Sequence, residues 1–288
     1  YVSNVTVSFS PTDADSGVRT TQYNINSSGW ITYNFPFLLS INGLNNIAYQ
    51  SKDWSGNLED PLYASIPIDT IPPSNPLFID TECQIDSNVW QNICNDLNFS
   101  WTDASDYGSG IAFYEYYWGG DPSGSNGVIT PYSSYDPPPV SDGVYHLRLR
   151  TQDNAGNWSS WKSMFTLKYD GTSPAGSVTI EGGSEVTNKV LVTVETASED
   201  NLSGVIQMRI RDLGKAWPEW QSNVPKVEWI LPPVTGQTQS VEVQYRDQSG
   251  NLSDIYSDSI YLDVYPDHPS SGHFTLANST FGMGATNA

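Results

Sequence analysis

The sequence predicts an all-β protein of three tandem β-sandwich domains, on the basis of three observations. The composition favours strands, because Tyr, Val, Ile, Thr and Trp are plentiful and helix-forming runs of Ala, Leu, Glu and Lys are missing. A length of 288 residues suits two or three domains of about 100 residues each. Two short motifs each occur three times along the chain, at a spacing close to one such domain.

The first motif follows an alternating apolar strand and joins an acidic turn to Ser, Gly and a β-branched residue. Its three copies are Ser16-Gly17-Val18, Ser109-Gly110-Ile111 and Ser203-Gly204-Val205. Their glycines lie 93 and 94 residues apart. This regular spacing indicates three copies of one domain type.

The second motif is Asp-x-x-Gly-Asn, which begins at Asp53, Asp153 and Asp247. It predicts a hairpin turn, because Asp bonds the turn backbone while Gly and Asn tolerate positive φ. Each copy then closes with a strand and a linker that contains proline, which stiffens the joint. The predicted domains are residues 1–70, 71–172 and 173–267, followed by a tail at 268–288.

These motifs resemble the immunoglobulin-like or fibronectin-III-like repeats of bacterial cell-surface proteins. Copies in that family end in a strand, Asp-x-x-Gly-Asn, another strand and an Asp-Thr-x-Pro-Pro linker, found here as Asp69-Thr70-Ile71-Pro72-Pro73. The segment Gly29-Trp30-Ile31-Thr32-Tyr33 is also similar to the family pattern. The resemblance covers nearly the whole chain and implies immunoglobulin-like sandwiches at the cell surface. It says little about function, since such sandwiches serve many purposes.

Strand counting suggests that the first domain lacks its first strand. In the second and third domains the linker leads into a strand at 76–80 and 177–181, whereas the first domain starts at the counterpart of the second strand. A segment similar to those first strands follows the third linker, at 270–278. Because an open sheet edge can be covered by a strand from another chain, we predict head-to-tail assembly of copies of this chain into a filament.

The predicted donor strand comes from the tail and fills a groove in the first domain. Its residues are His273, Phe274, Thr275, Leu276, Phe281 and Met283, and the groove is lined by Val5, Val7 and Phe9. Two alternatives stay open. The chain is equally consistent with a fragment of a longer repeat protein whose fourth domain begins in the tail, and with an adhesin, stalk or carbohydrate-binding part of a surface protein.

The acidic balance, with a net charge of −20, disfavours nucleic acid and membrane surfaces as partners. It suits calcium, whose ligands are carboxylate and carbonyl oxygens, and the domain topology gathers acidic turns near the linkers. The alternative is that each Asp only satisfies its own turn. The candidate ligands are Asp13, Asp15, Asp53, Asp69, Asp103, Asp106, Asp153, Asp170, Asp200 and Asp247.

Cysteine spacing, sequons and aromatic runs all suit an extracellular protein. Cys83 and Cys94 lie eleven residues apart in a polar insertion of the second domain, which predicts a disulfide-closed loop. Asn157 and Asn251 lie in sequons and are glycosylation candidates. The alternating run at 114–118 is expected to expose some aromatic rings, which makes surface glycans candidate partners.

An enzymatic function has little support in the sequence. His146, His268 and His273 are the only histidines, and none lies in a nucleophile or metal-ligand motif. Carboxylate pairs are abundant, but in so acidic a chain they carry little information about glycoside hydrolysis. No apolar stretch reaches the roughly 18 residues of a membrane-spanning helix. The sequence therefore predicts a non-enzymatic extracellular protein.

Overall fold

A computed structural model describes residues 4–102 and 104–264 of the chain. All regular elements within these residues are β-strands, 22 in number, arranged as three sandwiches of two sheets each. The prediction of an all-β chain of tandem sandwiches is confirmed. A search of the same residues finds no helix that could span a membrane. The first two sandwiches belong to one compact unit, Tyr1–Thr172, and the third lies in a unit that begins at Ser173.

The first sandwich has a two-stranded sheet, β1-β4, and a four-stranded sheet in the order β3-β2-β5-β6. All pairs within it are antiparallel. Its strands are β1 (Val5–Val7), β2 (Val18–Ile25), β3 (Ile31–Thr32), β4 (Phe37–Leu39), β5 (Gly43–Asp53) and β6 (Leu62–Ile68).

The second sandwich packs a three-stranded sheet, β12-β9-β7, and a five-stranded sheet, β11-β10-β13-β14-β8, around a common core. Its strands are β7 (Phe78–Thr81), β8 (Trp90–Gln91), β9 (Phe99–Thr102), β10 (Ile111–Gly119), β11 (Val128–Thr130), β12 (Ser134–Tyr135), β13 (Gly143–Asp153) and β14 (Lys162–Tyr169).

The third sandwich repeats this plan with a three-stranded sheet, β15-β17-β20, and a five-stranded sheet, β16-β22-β21-β18-β19. Its strands are β15 (Ala175–Ile180), β16 (Val186–Thr187), β17 (Leu191–Glu199), β18 (Val205–Asp212), β19 (Gln221–Ser222), β20 (Lys226–Ile230), β21 (Gln237–Asp247) and β22 (Tyr256–Leu262).

The two recurring sequence motifs face each other across a strand pair in every sandwich. The β-branched residue of the first motif lies opposite the Asp of the second, as in Val18 opposite Asp53 and Val205 opposite Asp247. One irregular step follows this pair at the same place in all three copies. The shared register allows residues to be compared between sandwiches position by position.

The Asp-x-x-Gly-Asn motif forms the predicted hairpin turn. In the second sandwich, the Asn157 backbone N–H and side-chain amide each donate to the Asp153 carboxylate at 2.8 Å. Gly156 has a φ of +95°, in the left-handed region that favours glycine. The Asp53 turn has the same bonds but is more accessible to solvent, whereas Asp153 is buried.

The cysteine insertion of the second sandwich forms the predicted disulfide between Cys83 and Cys94. Cys94 is buried and belongs to the core of this sandwich. The loop between the cysteines carries β8, which pairs in parallel with β14. The insertion therefore contributes to the sheet as well as to the surface.

We predict that Asp153→Ala lowers the free energy of unfolding of the first unit by about 1–3 kcal/mol, because two donors of Asn157 lose a buried acceptor. Asp53→Ala is the matched control, since it removes the same bonds at an accessible turn, and we expect a clearly smaller loss because water can replace the carboxylate there. Urea denaturation followed by Trp fluorescence measures both. Equal losses would show that burial does not set the cost.

The third sandwich should lose stability in strong alkali. Burial raises the pKa of Tyr245 to about 12, so the fold favours the neutral phenol. Between pH values of about 10 and 12 the unfolded chain releases this proton first, and stability falls as pH rises. Thermal unfolding at pH 8 and pH 11 should show a larger loss for the native chain than for Tyr245→Phe. Equal losses of thermal stability in the native chain and in Tyr245→Phe would contradict this prediction.

Candidate functional site: an open groove in the first sandwich

The second and third sandwiches show how a complete domain covers its edges. In each, a first strand pairs antiparallel with the second strand of the domain, β7 with β9 and β15 with β17. The following segment then pairs in parallel with the last strand, β8 with β14 and β16 with β22. One stretch of chain thus covers an edge of both sheets.

The first sandwich leaves both of these edges open within residues 4–102. There β1 pairs only with β4, and β6 pairs only with β5. A groove of about 540 Å³ lies between the two edges. Its lining residues are Val7, Ser8, Phe9, Ser10, Pro11, Thr12, Thr21, Ile47, Tyr49, Ser51, Glu59, Leu62, Ala64 and Ile66.

The predicted groove residues lie at this edge. Val7 and Phe9 line the groove, and Val5 packs against the same core cluster without lining it. All three are half-buried, whereas the third-sandwich counterparts of Val7 and Phe9, Val192 and Val194, are 1% and 0% exposed. The difference arises because β15 covers that edge in the third sandwich.

Aromatic side chains brace the groove wall around Phe9. Its ring lies 5.0 Å from the rings of both Tyr33 and Tyr49, and 6.0 Å from that of Tyr23. Tyr23 in turn stacks on Phe37 at 4.3 Å. This cluster holds an apolar wall in place although one side of it is not covered by a strand.

The core of the first sandwich is small. Its buried cluster consists of Leu39, Ile47 and Ile68, against eight buried residues in the second sandwich and twelve in the third. Each fully buried apolar side chain stabilises a fold by about 1.5–3 kcal/mol. An added strand with apolar side chains would therefore contribute more to this sandwich than to the other two.

The sequence prediction missed the opposite wall and one end of the groove. Ala64 and Ile66 come from the last strand, and Thr21, Ser51 and Glu59 form a polar end. Comparing side-chain size two residues before each copy of the second motif would have drawn attention to Ser51, because the third copy has Tyr245 there. The predicted donor residues, His273, Phe274, Thr275, Leu276, Phe281 and Met283, lie outside the described residues.

One predicted carboxylate group is brought together where the first sandwich meets the second. Carboxylate oxygens of Asp69, Asp106 and Asp153 lie within 4.8 Å of one another, and Asp69 and Asp153 are buried. Asp69 accepts hydrogen bonds from the backbone N–H groups of Ser109, at 2.7 Å, and Ile71, at 3.1 Å. Burial raises the pKa of Asp69, but these bonds outweigh it and hold the pKa below its ordinary value.

The other two carboxylates of this group also serve their own turns. Asp106 accepts from the N–H groups of Gly108 and Gly110, and Asp153 accepts from Asn157. Three oxygens so close could share one cation, but each carboxylate already has a structural role. Calcium binding here stays a prediction.

Five of the remaining candidate ligands accept hydrogen bonds from backbone N–H groups of their own turns. Asp13 accepts from the Gly17 N–H at 2.7 Å, Asp200 from the Gly204 N–H at 2.6 Å and Asp170 from the Thr172 N–H at 3.1 Å. Asp53 and Asp247 accept from the Asn that ends each turn. Within residues 4–102 and 104–264, Asp13, Asp15 and Asp53 form no cation-sized cluster. Asp103 lies outside the described residues.

The two glycosylation candidates use their amide groups inside the fold. Asn157 donates from Nδ2 to the Asp69 carbonyl and to the Asp153 carboxylate, both at 2.8 Å. Asn251 donates from Nδ2 to Asp247 at 2.8 Å and to Ser249 at 2.9 Å. A glycan would replace one of these hydrogens, so glycosylation at either site competes with native hydrogen bonds.

The aromatic run at 114–118 is not the exposed platform that its alternation suggested. Tyr114 packs edge-on against Trp101, Tyr116 stacks on Tyr135, and Trp118 stacks on Tyr145. Strand alternation turns Tyr114, Tyr116 and Trp118 toward the core, whereas Glu115 lies on the opposite face of β10 and forms a salt bridge with Arg150. Binding of surface glycans stays a prediction without this platform.

Tryptophans on the outer faces of the sheets lie against arginines. All six arginines of the chain are placed over Trp rings. In the third sandwich, for example, Arg209 lies 4.5 Å from the rings of both Trp217 and Trp220. These rings are engaged by cation–π contacts, which favours a structural role for them.

We predict that the first sandwich opens more readily than the other two in the unassembled chain, because its core is the smallest. Backbone amides of β5 and β6 should exchange hydrogen faster than those of β13 and β14, their counterparts in the second sandwich. Hydrogen exchange followed by mass spectrometry measures this difference. Equal protection of the two strand pairs would mean that the open groove does not lower the local stability of the first sandwich.

Comparisons with known proteins find weak similarity to solved structures and none to a family model. No family model and no curated protein matches it. Fibronectin(III)-like modules of Clostridium thermocellum CbhA share 15% identity over 68% of this chain and all of that one, with a TM-score of 0.34. The chicken CNTN1 FN1-FN3 domains share 13% identity over 91% of this chain and 95% of that one, with a TM-score of 0.30.

A third similar structure is a tetra-tandem repeat in the extending region of a large adhesion protein. It shares 17% identity over 88% of this chain and 69% of that one, with a TM-score of 0.32. Similarity at this level says nothing about what the chain binds. The chain is, in its architecture, a tandem array of β-sandwiches.

Proposed function

We propose that this chain is a non-enzymatic structural subunit of an extracellular or cell-surface filament that assembles head to tail. Residues 268–288 of one copy enter the groove of the first sandwich of the next copy. The observation that carries the proposal is the open groove itself, bordered by unpaired edges of β1 and β6. Such edges recruit strands from other chains, since pairing satisfies their backbone groups and covers the apolar wall.

The sequence of the tail suits this role. Gly272-His273-Phe274-Thr275-Leu276 has the same alternation as Gly176-Ser177-Val178-Thr179-Ile180, which spans most of β15. In β15 the alternate residues Val178 and Ile180 are buried in the core. We expect Phe274 and Leu276 to enter the groove in the same way, and Phe281 and Met283 to follow along the edge of β6.

The contact is heterologous, because the donor and the acceptor are different surfaces of the same chain. A heterologous contact repeats into an open filament unless its rotation closes a ring. The disulfide between Cys83 and Cys94 suits an oxidising extracellular compartment. A catalytic role gains no support from His146, whose ring nitrogen pairs with the Thr166 hydroxyl at 3.1 Å within the sheet.

We predict that the full chain forms filaments with a constant axial repeat, and that deletion of residues 270–288 yields dispersed particles. Removing the donor leaves the groove empty, and negative-stain electron microscopy compares the two. A synthetic peptide of residues 268–288, at about 100 times its Kd, should stabilise the truncated chain by about 2.7 kcal/mol.

Two results would contradict the proposal. Filaments formed by the truncated chain would exclude tail donation as the mechanism of assembly. Dispersed rods formed by the full chain would indicate that the groove is filled by a different strand, such as one from an additional domain of a longer protein. Replacing the peptide by one with the same composition in scrambled order controls for unspecific stabilisation.

A further inference from the structure

The polar end of the groove differs from the matching position in the other sandwiches. Thr21 and Ser51 lie opposite each other on β2 and β5, with their hydroxyl oxygens 3.0 Å apart. The Ser51 backbone N–H donates to the Glu59 carboxylate at 2.5 Å. All three residues line the groove. The pair therefore presents small side chains to whatever enters.

The shared register identifies the counterparts of this pair. In the third sandwich the same position holds Met208 opposite Tyr245, both 0% exposed. In the second sandwich it holds Tyr114 opposite Thr151. Each of these pairs contains at least one large side chain, and the pair in the first sandwich contains none.

In the third sandwich the large side chain fills the space beneath the first strand. The Tyr245 hydroxyl donates to the Ser177 carbonyl at 2.6 Å. A Cβ atom added to Gly176 would lie 2.3 Å from an atom of the Tyr245 ring. The ring thus occupies volume directly under β15, which explains why glycine stands at position 176.

With Ser51 in place of tyrosine, the corresponding volume in the first sandwich is left to the incoming strand. The tail matches β15 at its glycine and threonine, but it has Phe274 where β15 has Val178. A smaller residue in the acceptor is thus matched by a larger residue in the donor. Such an exchange keeps the total core volume, which well-packed interiors require.

We propose that Thr21 and Ser51 determine which strand the first sandwich accepts, by forming a receptor for the Phe274 ring of a second copy. This inference rests on the proposed function and names the residues that give it specificity. A first strand with side chains as small as those of β15 would leave the space above Thr21 and Ser51 partly empty. The groove thus discriminates between the tail and the first strands that belong inside a sandwich.

The test uses a full chain whose own tail is disabled by Phe274→Asp and Leu276→Asp, so that its groove stays free. A fluorescent synthetic peptide of residues 268–288 is the probe, and anisotropy measures its Kd. We expect Ser51→Tyr in this acceptor to weaken binding at least about tenfold, because the new ring fills the space that Phe274 needs. Ser55→Tyr, in an exposed turn outside the groove, is the matched control and should leave the Kd unchanged.

A peptide with Phe274→Val completes the cycle. It should bind the unaltered groove about tenfold more weakly than the native peptide, because the space is underfilled. It should bind the Ser51→Tyr acceptor better than the native peptide does, since tyrosine below valine is the arrangement of the third sandwich. The two changes are then coupled rather than additive.

The outcomes separate this inference from the proposed function. An unaltered groove that binds no native peptide overturns both. Two other results overturn only the role of Thr21 and Ser51. In one, the Ser51→Tyr acceptor binds the native peptide with an unchanged Kd. In the other, Phe274→Val in the peptide leaves the Kd for the unaltered groove unchanged. The peptide comparison needs no change at Ser51, so it decides the matter even where Ser51→Tyr does not fold.

Discussion

The need to cover the edges of a sheet above an apolar core is the constraint on which this structure depends. An uncovered strand leaves backbone N–H and C=O groups without partners and exposes the core beside them. The second and third sandwiches meet this need with a single segment that pairs first with one sheet and then with the other. In the first sandwich the same need is unmet within residues 4–102, and its core is correspondingly small. In the proposed assembly, folding of this sandwich and association of the chain are therefore linked, since one event completes the other.

Turn chemistry and strand count could be predicted because both are local properties of the sequence. The five residues from Asp53 to Asn57 contain every group that their turn needs. The open edge followed from comparing the repeats strand by strand. The far wall of the groove could not be predicted in this way, because the face that Ala64 and Ile66 present depends on the register of β6. The hydrogen bond from the Asn157 amide to the Asp69 carbonyl spans 88 residues of sequence, so the sequence could not show that this sequon amide is engaged inside the fold.

Hydrogen bonds, rather than proline alone, fix the joint between the first two sandwiches. Asn75 accepts from the hydroxyl groups of Thr151 and Ser159 and donates to the carbonyl of Ser160, while Lys162 donates to the carbonyl of Pro76. Together with the bonds of Asp69, these contacts anchor the linker to the second sandwich. A load applied to the first sandwich is then carried by many bonds in parallel instead of by one flexible strand. This arrangement suits a protein that must keep its neighbours at a fixed distance.

The placement of every arginine over a tryptophan ring has a consequence for how two such chains meet side by side. With these cations held against the sheets, the 32 Asp and Glu side chains are offset at the periphery mainly by six lysines. Of these, Lys168 itself lies over Trp90 and Lys226 is paired with Glu195. Lateral approach therefore brings like charge against like charge within a Debye length of about 8 Å at physiological ionic strength. End-to-end contact through the proposed groove meets repulsion too, but burial of apolar side chains and backbone pairing offset it there. In the proposed filament the surface thus discourages bundling more than end-to-end growth, and added salt should change the thickness of an assembly before it changes its length.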